Sequence, residues 1–234
     1  MVAATSLICA SRVSGSARRV VGRRRGLATF RAGLSASAIS PSSTACWYRQ
    51  RSAATTGNDP ELDTLLLRLH TETACRRGGA LALRPADLDP DQCLILLREK
   101  GETVRWQPVS PTLMGRLVEH GLERHAPLDG QLLCYRRGQP ITSRRYDHLW
   151  TRLGRHLPWV RTQQISMHWI RHTTLTWVER NFGYAVARAY AGHTDNGSDT
   201  GATATYVRAS LAEVAAALAS LTGEPHPLAT PEGR

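Results

Sequence analysis

Apolar residues recur at helical spacing from Glu61 onward. Leu62, Leu65, Leu66 and Leu69 fall on one face, which predicts a helix over 61–70 that continues through Ala74 and breaks at Gly78-Gly79. Pro60 suits the first turn of that helix, where its missing N–H costs nothing. A second short helix is expected over 79–83, and Pro85 starts a further turn before Asp87. The pattern then changes. Cys93 to Glu99 is a short apolar run, Lys100-Gly101-Glu102 supplies a turn, and Thr103 to Val109 reads as a returning strand, which predicts one β-hairpin. Helical spacing returns at 111–125, on Leu113, Leu117 and Leu122, and again at 146–157. A long amphipathic helix is expected over 165–182, opened by Ser166 as N-cap and closed by Gly183. Further helices follow at 185–191 and 211–221, separated by a Gly- and Asp-rich stretch. The expected fold is mainly α with a small antiparallel β-sheet, an α+β domain.

Residues 1–58 depart from this pattern. They are rich in Ala, Ser and Arg, and hold nine arginines with no acid before Asp59. Such a composition buries too little apolar surface to order a chain, so 1–58 is expected to be a basic, disordered segment. An organelle transit peptide or a misassigned start codon gives the same composition, and both readings stay open. The ordered domain is expected over 59–222, with a flexible tail over 223–234. Of the net charge of +11, residues 1–58 carry +9, which leaves +2 for the rest of the chain. The charge points to a polyanionic partner, but mostly through the N-terminal segment. No run approaches the roughly 18 apolar residues of a membrane span. The cysteines Cys9, Cys46, Cys75, Cys93 and Cys134 include no CxxC pair, which points away from a zinc site or a disulfide framework and toward a reducing, cytosolic setting.

Of the 30 basic residues 29 are arginine, and Lys100 is the only lysine. Where arginine supplies charge everywhere else, a retained lysine points to work that requires giving up a proton. His168-Trp-Ile-Arg171-His172 places His168 and Arg171 on one helix face, an imidazole beside a guanidinium, which suits a phosphate. A plain polar helix face would read the same way. The glutamate of a zinc-binding HExxH helix is absent. Ala191-Gly192-His193 is followed 13 residues later by Tyr206, and Cys75-Arg76-Arg77-Gly78 ends the first helix with arginine. Taken singly, each of these motifs also fits ordinary packing or a solvated cap.

Taken in order they are far more specific. Thr73-Ala-Cys-Arg76 running on to Asp87, a hairpin carrying Lys100, His168-x-x-Arg171-His172, Gly192-His193 and Tyr206-Val resemble the tyrosine recombinase (phage integrase) family over about residues 60–215. The resemblance implies that family's catalytic-domain fold and a DNA strand-transfer reaction through a 3′-phosphotyrosyl intermediate. It implies that Arg76 and Arg171 clamp the scissile phosphate and that Tyr206 attacks it. His168 would take the tyrosine proton, Lys100 would protonate the leaving 5′-oxygen, and His193 would hydrogen-bond the phosphate. No metal, ATP or other cofactor is implied. The implied partner is double-stranded DNA, held by a homo-tetramer on paired recombination sites, with no membrane involved. The implied location is the cytoplasm, at a bacterial nucleoid.

Two departures from the family pattern stand out. The acid usual three positions after the first arginine is here Gly79, and the loop from His193 to Tyr206 is longer than common, implying a mobile segment. Residues 1–58 are too short for the family's N-terminal core-binding domain, so a truncated DNA-binding remnant is the main alternative to an active recombinase. A type IB topoisomerase and an unrelated helical regulator are the others. Arg144, Arg145 and Arg152 on the 144–155 segment are open as contacts to bases or equally to phosphates.

Overall fold

The computed structural model describes residues 57–99, 103–193 and 209–229. Helix α1 (Pro60–Thr73) is the centre of the fold. The Asp59 carboxylate caps it by accepting from the Leu62 N–H at 3.3 Å, Pro60 opens its first turn, and Ala74 ends it in the left-handed region with φ 48°. Its leucines Leu62, Leu66 and Leu69 are fully buried, and so are its polar residues Asp63, His70 and Glu72. A helix buried over most of its surface must find partners for such groups inside the protein. Asp63 takes Arg145 and Arg152. Glu72 takes Arg68 at 2.6 Å and the Ser110 N–H at 2.9 Å. His70 sits 3.1 Å from both the Tyr146 hydroxyl and the Cys75 carbonyl.

After α1 come the short helix α2 (Arg77–Leu81) and a single 3-10 turn, Pro85–Asp87. A three-stranded antiparallel sheet follows, in the order β1 (Leu88–Asp89), β2 (Leu94–Glu99), β3 (Thr103–Pro108). The hairpin runs in register from Leu94 opposite Pro108 to Glu99 opposite Thr103. The short β1 pairs Leu88 with Ile95; two residues are too few for any alternation to announce a strand. On β3 the usual alternation is inverted, with Val104 and Trp106 exposed while Gln107 is fully buried.

Helices α3 (Pro111–Glu123) and α4 (Ser143–His156) pack beside α1, and the short α5 (Pro158–Thr162) packs on α4. Helix α6 (Met167–Ala191) contains Gly183 at φ 85° and ψ 170°, so the expected pair of helices meets at a kink. Helix α7 (Leu211–Thr222) opens with a capping box between Ser210 and Glu213. Its Val214, Ala217 and Leu218 join Val178, Val186 and Tyr190 of α6 in a second apolar cluster beside the main one around α1. The segment after Gly223, expected to fray, is held through 228 by tertiary partners: Glu224 pairs with Arg68 at 2.7 Å, and His226 is buried 3.2 Å from the Cys93 carbonyl. Among the described residues no helix is long and apolar enough to cross a membrane.

Two buried histidines make the fold acid-sensitive. Burial lowers His70 to about 4, and burial with the nearby Arg124 charge lowers His120 to about 4 as well. In the unfolded chain both titrate near 6.5, about 1.4 kcal/mol per unit of difference. The folded state therefore favours neutral rings. The stability they contribute is complete above pH 6.5 and is lost as pH falls toward 4. The thermal midpoint should fall across that window. His120→Gln, which can still accept the Cys134 N–H that His120 takes at 3.3 Å, should flatten the fall. Parallel pH profiles for the two proteins would contradict this cause.

Candidate active site

Arg76 reaches the site from the N-terminus of α2. The left-handed turn at Ala74 sends the chain out of α1 so that Arg76 stands in extended conformation as the N-cap of α2. Its backbone N–H donates to Glu99 Oε1 at 2.6 Å and its Nη1 donates to Glu99 Oε2 at 3.0 Å. Glu99 ends β2, with a side chain that is 0% exposed. The carboxylate lies over Gly79, where an added Cβ would meet Glu99 Cγ at 3.0 Å. The acid expected at position 79 is thus delivered from the sheet.

Arg171 comes from the middle of α6 and is buried. Its Nη1 donates to the Ala74 carbonyl and its Nη2 to the Ala191 carbonyl at 2.8 Å. One guanidinium therefore ties the end of α1 to the end of α6. Gly192, at φ 66°, caps α6 and turns the chain so that the His193 N–H returns to the Arg188 carbonyl at 3.2 Å. Arg105 enters from β3 and runs against Gly192, where any Cβ would collide with it. Its Nε is 3.9 Å from Glu99 Oε2.

Three guanidiniums thus gather near the Glu99 carboxylate, and the charges of all three reach His193. The electrostatics register the crowding. Burial, and then the Arg76 charge, lower Arg171. Burial lowers Arg105 against the opposing pull of Glu99. Burial and then the Arg171, Arg76, Arg188 and Arg105 charges hold His193 below the usual imidazole value, favouring a neutral ring that can donate one hydrogen bond. Such a cluster is built for an oxyanion with several oxygens. Among the described residues no group of His, Cys, Asp and Glu is placed to hold a metal ion.

Of the residues singled out from the sequence, Arg76, Arg171 and His193 come together here. His168 lies on the exposed side of α6, with Nε2 2.8 Å from His172 Nε2 and the rings edge to face. One of the two rings must donate to the other. Lys100 and Tyr206 lie outside the described residues. Arg145 and Arg152 are spent on the buried Asp63, so of the three arginines considered as DNA contacts on 144–155 only Arg144 stays exposed. Glu99 and Arg105 were not anticipated. The available signal, for Glu99, was Gly79, where an acid was due.

The sequence matches the model of the Phage integrase family over residues 51–211. Among solved structures, the XerH site-specific recombinase bound to its difH substrate in a pre-cleavage complex is similar at TM-score 0.53 and 18% identity, covering 64% of this chain and 45% of that one. The Tn1549 transposon integrase in complex with a circular intermediate DNA is similar at TM-score 0.51 and 17% identity, covering 66% of this chain and 57% of that one. These likenesses show the fold, that of tyrosine recombinase catalytic domains; the chain spans about half the length of those proteins. No curated protein matches the sequence.

Proposed function

The chain belongs to the phage integrase family, and on that premise we propose that it cuts and rejoins double-stranded DNA by transferring a backbone phosphate to Tyr206. The observation that carries the reading is the gathering of Arg76, from the turn after α1, with Arg171 and His193, from α6 and its end, close enough that both arginine charges act on the imidazole. Negative charge grows on the non-bridging oxygens as phosphorus becomes five-coordinate. Fixed guanidiniums therefore stabilise the transition state more than the ground state.

In the proposed reaction the Tyr206 oxygen forms a bond to phosphorus as the bond to the 5′-oxygen breaks. His168 takes the phenol proton and Lys100 gives a proton to the leaving oxygen. His193 donates to a phosphate oxygen. The energy of the broken ester is kept in the 3′-phosphotyrosine, so rejoining needs neither ATP nor a metal. We assign the catalytic domain to 59–222, with the ordered segment 224–228 docked on it, and the working form to a homo-tetramer on paired sites.

A nicked suicide duplex, made from DNA flanking the gene and incubated with chelator and without ATP, tests this. The full chain should form a denaturation-resistant DNA adduct, and Tyr206→Phe should form none. Binding of that DNA without adduct formation would favour a DNA-binding remnant instead.

A further inference from the structure

We propose that Arg105 is a third phosphate-binding guanidinium of this site, outside the motif positions and supplied by the sheet. The proposal rests on the reading that the site takes a phosphate.

The first observation is an unmet need. Arg105 has a side chain only 11% exposed, and its Nε and Nη2 have no hydrogen-bond partner among the described residues. Its Nη1 is already held by Gln107 Oε1. Nε and Nη2 form one edge of the guanidinium, the edge that grips two oxygens side by side. Glu99 does not satisfy it, since 3.9 Å is beyond hydrogen-bond reach and both carboxylate oxygens already accept from Arg76. A buried guanidinium with an empty edge costs the folded chain stability and returns nothing until an acceptor arrives.

The second observation is how the fold admits this side chain. Arg105 shares its inward face of β3 with Gln107 while Val104 and Trp106 point to solvent, the reverse of the arrangement that burial of apolar surface favours. A side chain at Gly192, which is at φ 66°, would collide with Arg105, so the glycine leaves room for the guanidinium beside the end of α6. The charges of Arg76 and Arg171 act on or with the same groups, so three guanidiniums face one carboxylate. The excess positive charge calls for an anion, and the paired N–H edge calls for a tetrahedral oxyanion of the phosphate type.

Inorganic phosphate is the probe, with the full chain and chloride at matched ionic strength as reference. Phosphate should raise the thermal midpoint of the native protein. In Arg105→Met the midpoint in chloride should equal or exceed the native one, because two buried N–H groups without acceptors are gone, while apparent phosphate affinity weakens at least about tenfold. Arg105→Lys keeps a charge but loses the edge, and should bind phosphate more weakly than the native chain. Arg116→Met, at an exposed arginine of α3 paired only with Glu119, should respond as the native protein does. A native chain indifferent to phosphate would overturn the proposal. So would Arg105→Met or Arg105→Lys binding it as tightly as the native chain, or Arg105→Met losing stability in chloride with its phosphate response intact. Tyr206 plays no part in this measurement, so failure of the DNA adduct and failure of phosphate binding are separate results.

Discussion

Arg171→Lys forms the DNA adduct about 10²-fold more slowly than the native chain, or worse, and unfolds at a lower temperature. Both losses have one cause. The Arg171 guanidinium reaches the Ala74 carbonyl at the end of α1 and the Ala191 carbonyl at the end of α6. These two points carry the turns that present Arg76 and His193. A lysine ammonium retains the charge but is a single point, and cannot span both carbonyls while facing a phosphate. A buried carbonyl left without a donor costs about 1–3 kcal/mol. Single-turnover adduct formation and a melting curve report the two effects separately. Native cleavage by the lysine variant would remove Arg171 from the phosphate-binding role.

The exchange of Glu99 with Gly79 gives the next largest effect, and its sign is unusual. Glu99→Ala leaves the Arg76 N–H and guanidinium without their acceptor, and a misplaced clamp of this kind costs on the order of 10²-fold in rate. Gly79→Glu alone is also harmful, because its Cβ would lie 3.0 Å from Glu99 Cγ and would bring a second carboxylate into a closed space. The double variant should recover much of the activity. Arg76 is the N-cap of α2, which makes position 79 its third helical residue. A glutamate there reaches back to the N-cap N–H in a capping box, the bond Glu99 now makes from the sheet. With Glu99 shortened, the next obstacle is the Arg98 carbonyl at 3.4 Å, an ordinary contact. Two harmful changes that repair each other identify Glu99 as the residue positioning Arg76. If the double variant is as slow as the slower single one, Glu99 has some other role.

Local pattern was readable where local forces decide the structure. The leucines of α1, the hairpin β2–β3 and the helix start after Ser166 were all legible from spacing and turns, although the Ser166 side chain makes no capping hydrogen bond. The motif arginines and His193 were legible because a family pattern orders them. The polar groups of α1 show what spacing misses. Leu62, Leu65, Leu66 and Leu69 mark one apolar face, yet Asp63 and Glu72 are buried too, satisfied by Arg145, Arg152 and Ser110 from far along the chain. No local pattern announces such pairings. Glu99 was missed for the same reason: its partner lies 23 residues earlier, and an acid that closes a strand looks like an ordinary end residue. Nothing in the sequence announces Arg105, which lies on a strand whose apolar positions, Val104 and Trp106, are the ones that face solvent.

Locating the phosphate on the protein tests the central assignment most directly. After adduct formation on the suicide duplex, nuclease and protease digestion leaves one peptide bearing a nucleotide, and fragmentation by mass spectrometry places it. Among the described tyrosines, Tyr146 and Tyr190 are buried, and burial raises both phenols and makes them poor nucleophiles. Tyr135 is half-buried, and Tyr184 is 62% exposed with a hydroxyl that accepts from Arg188, which makes it the most accessible described competitor. The predicted result is a 3′-linked nucleotide on Tyr206 and on no other residue. A nucleotide on Tyr184, or on any residue but Tyr206, would contradict the assignment of the nucleophile.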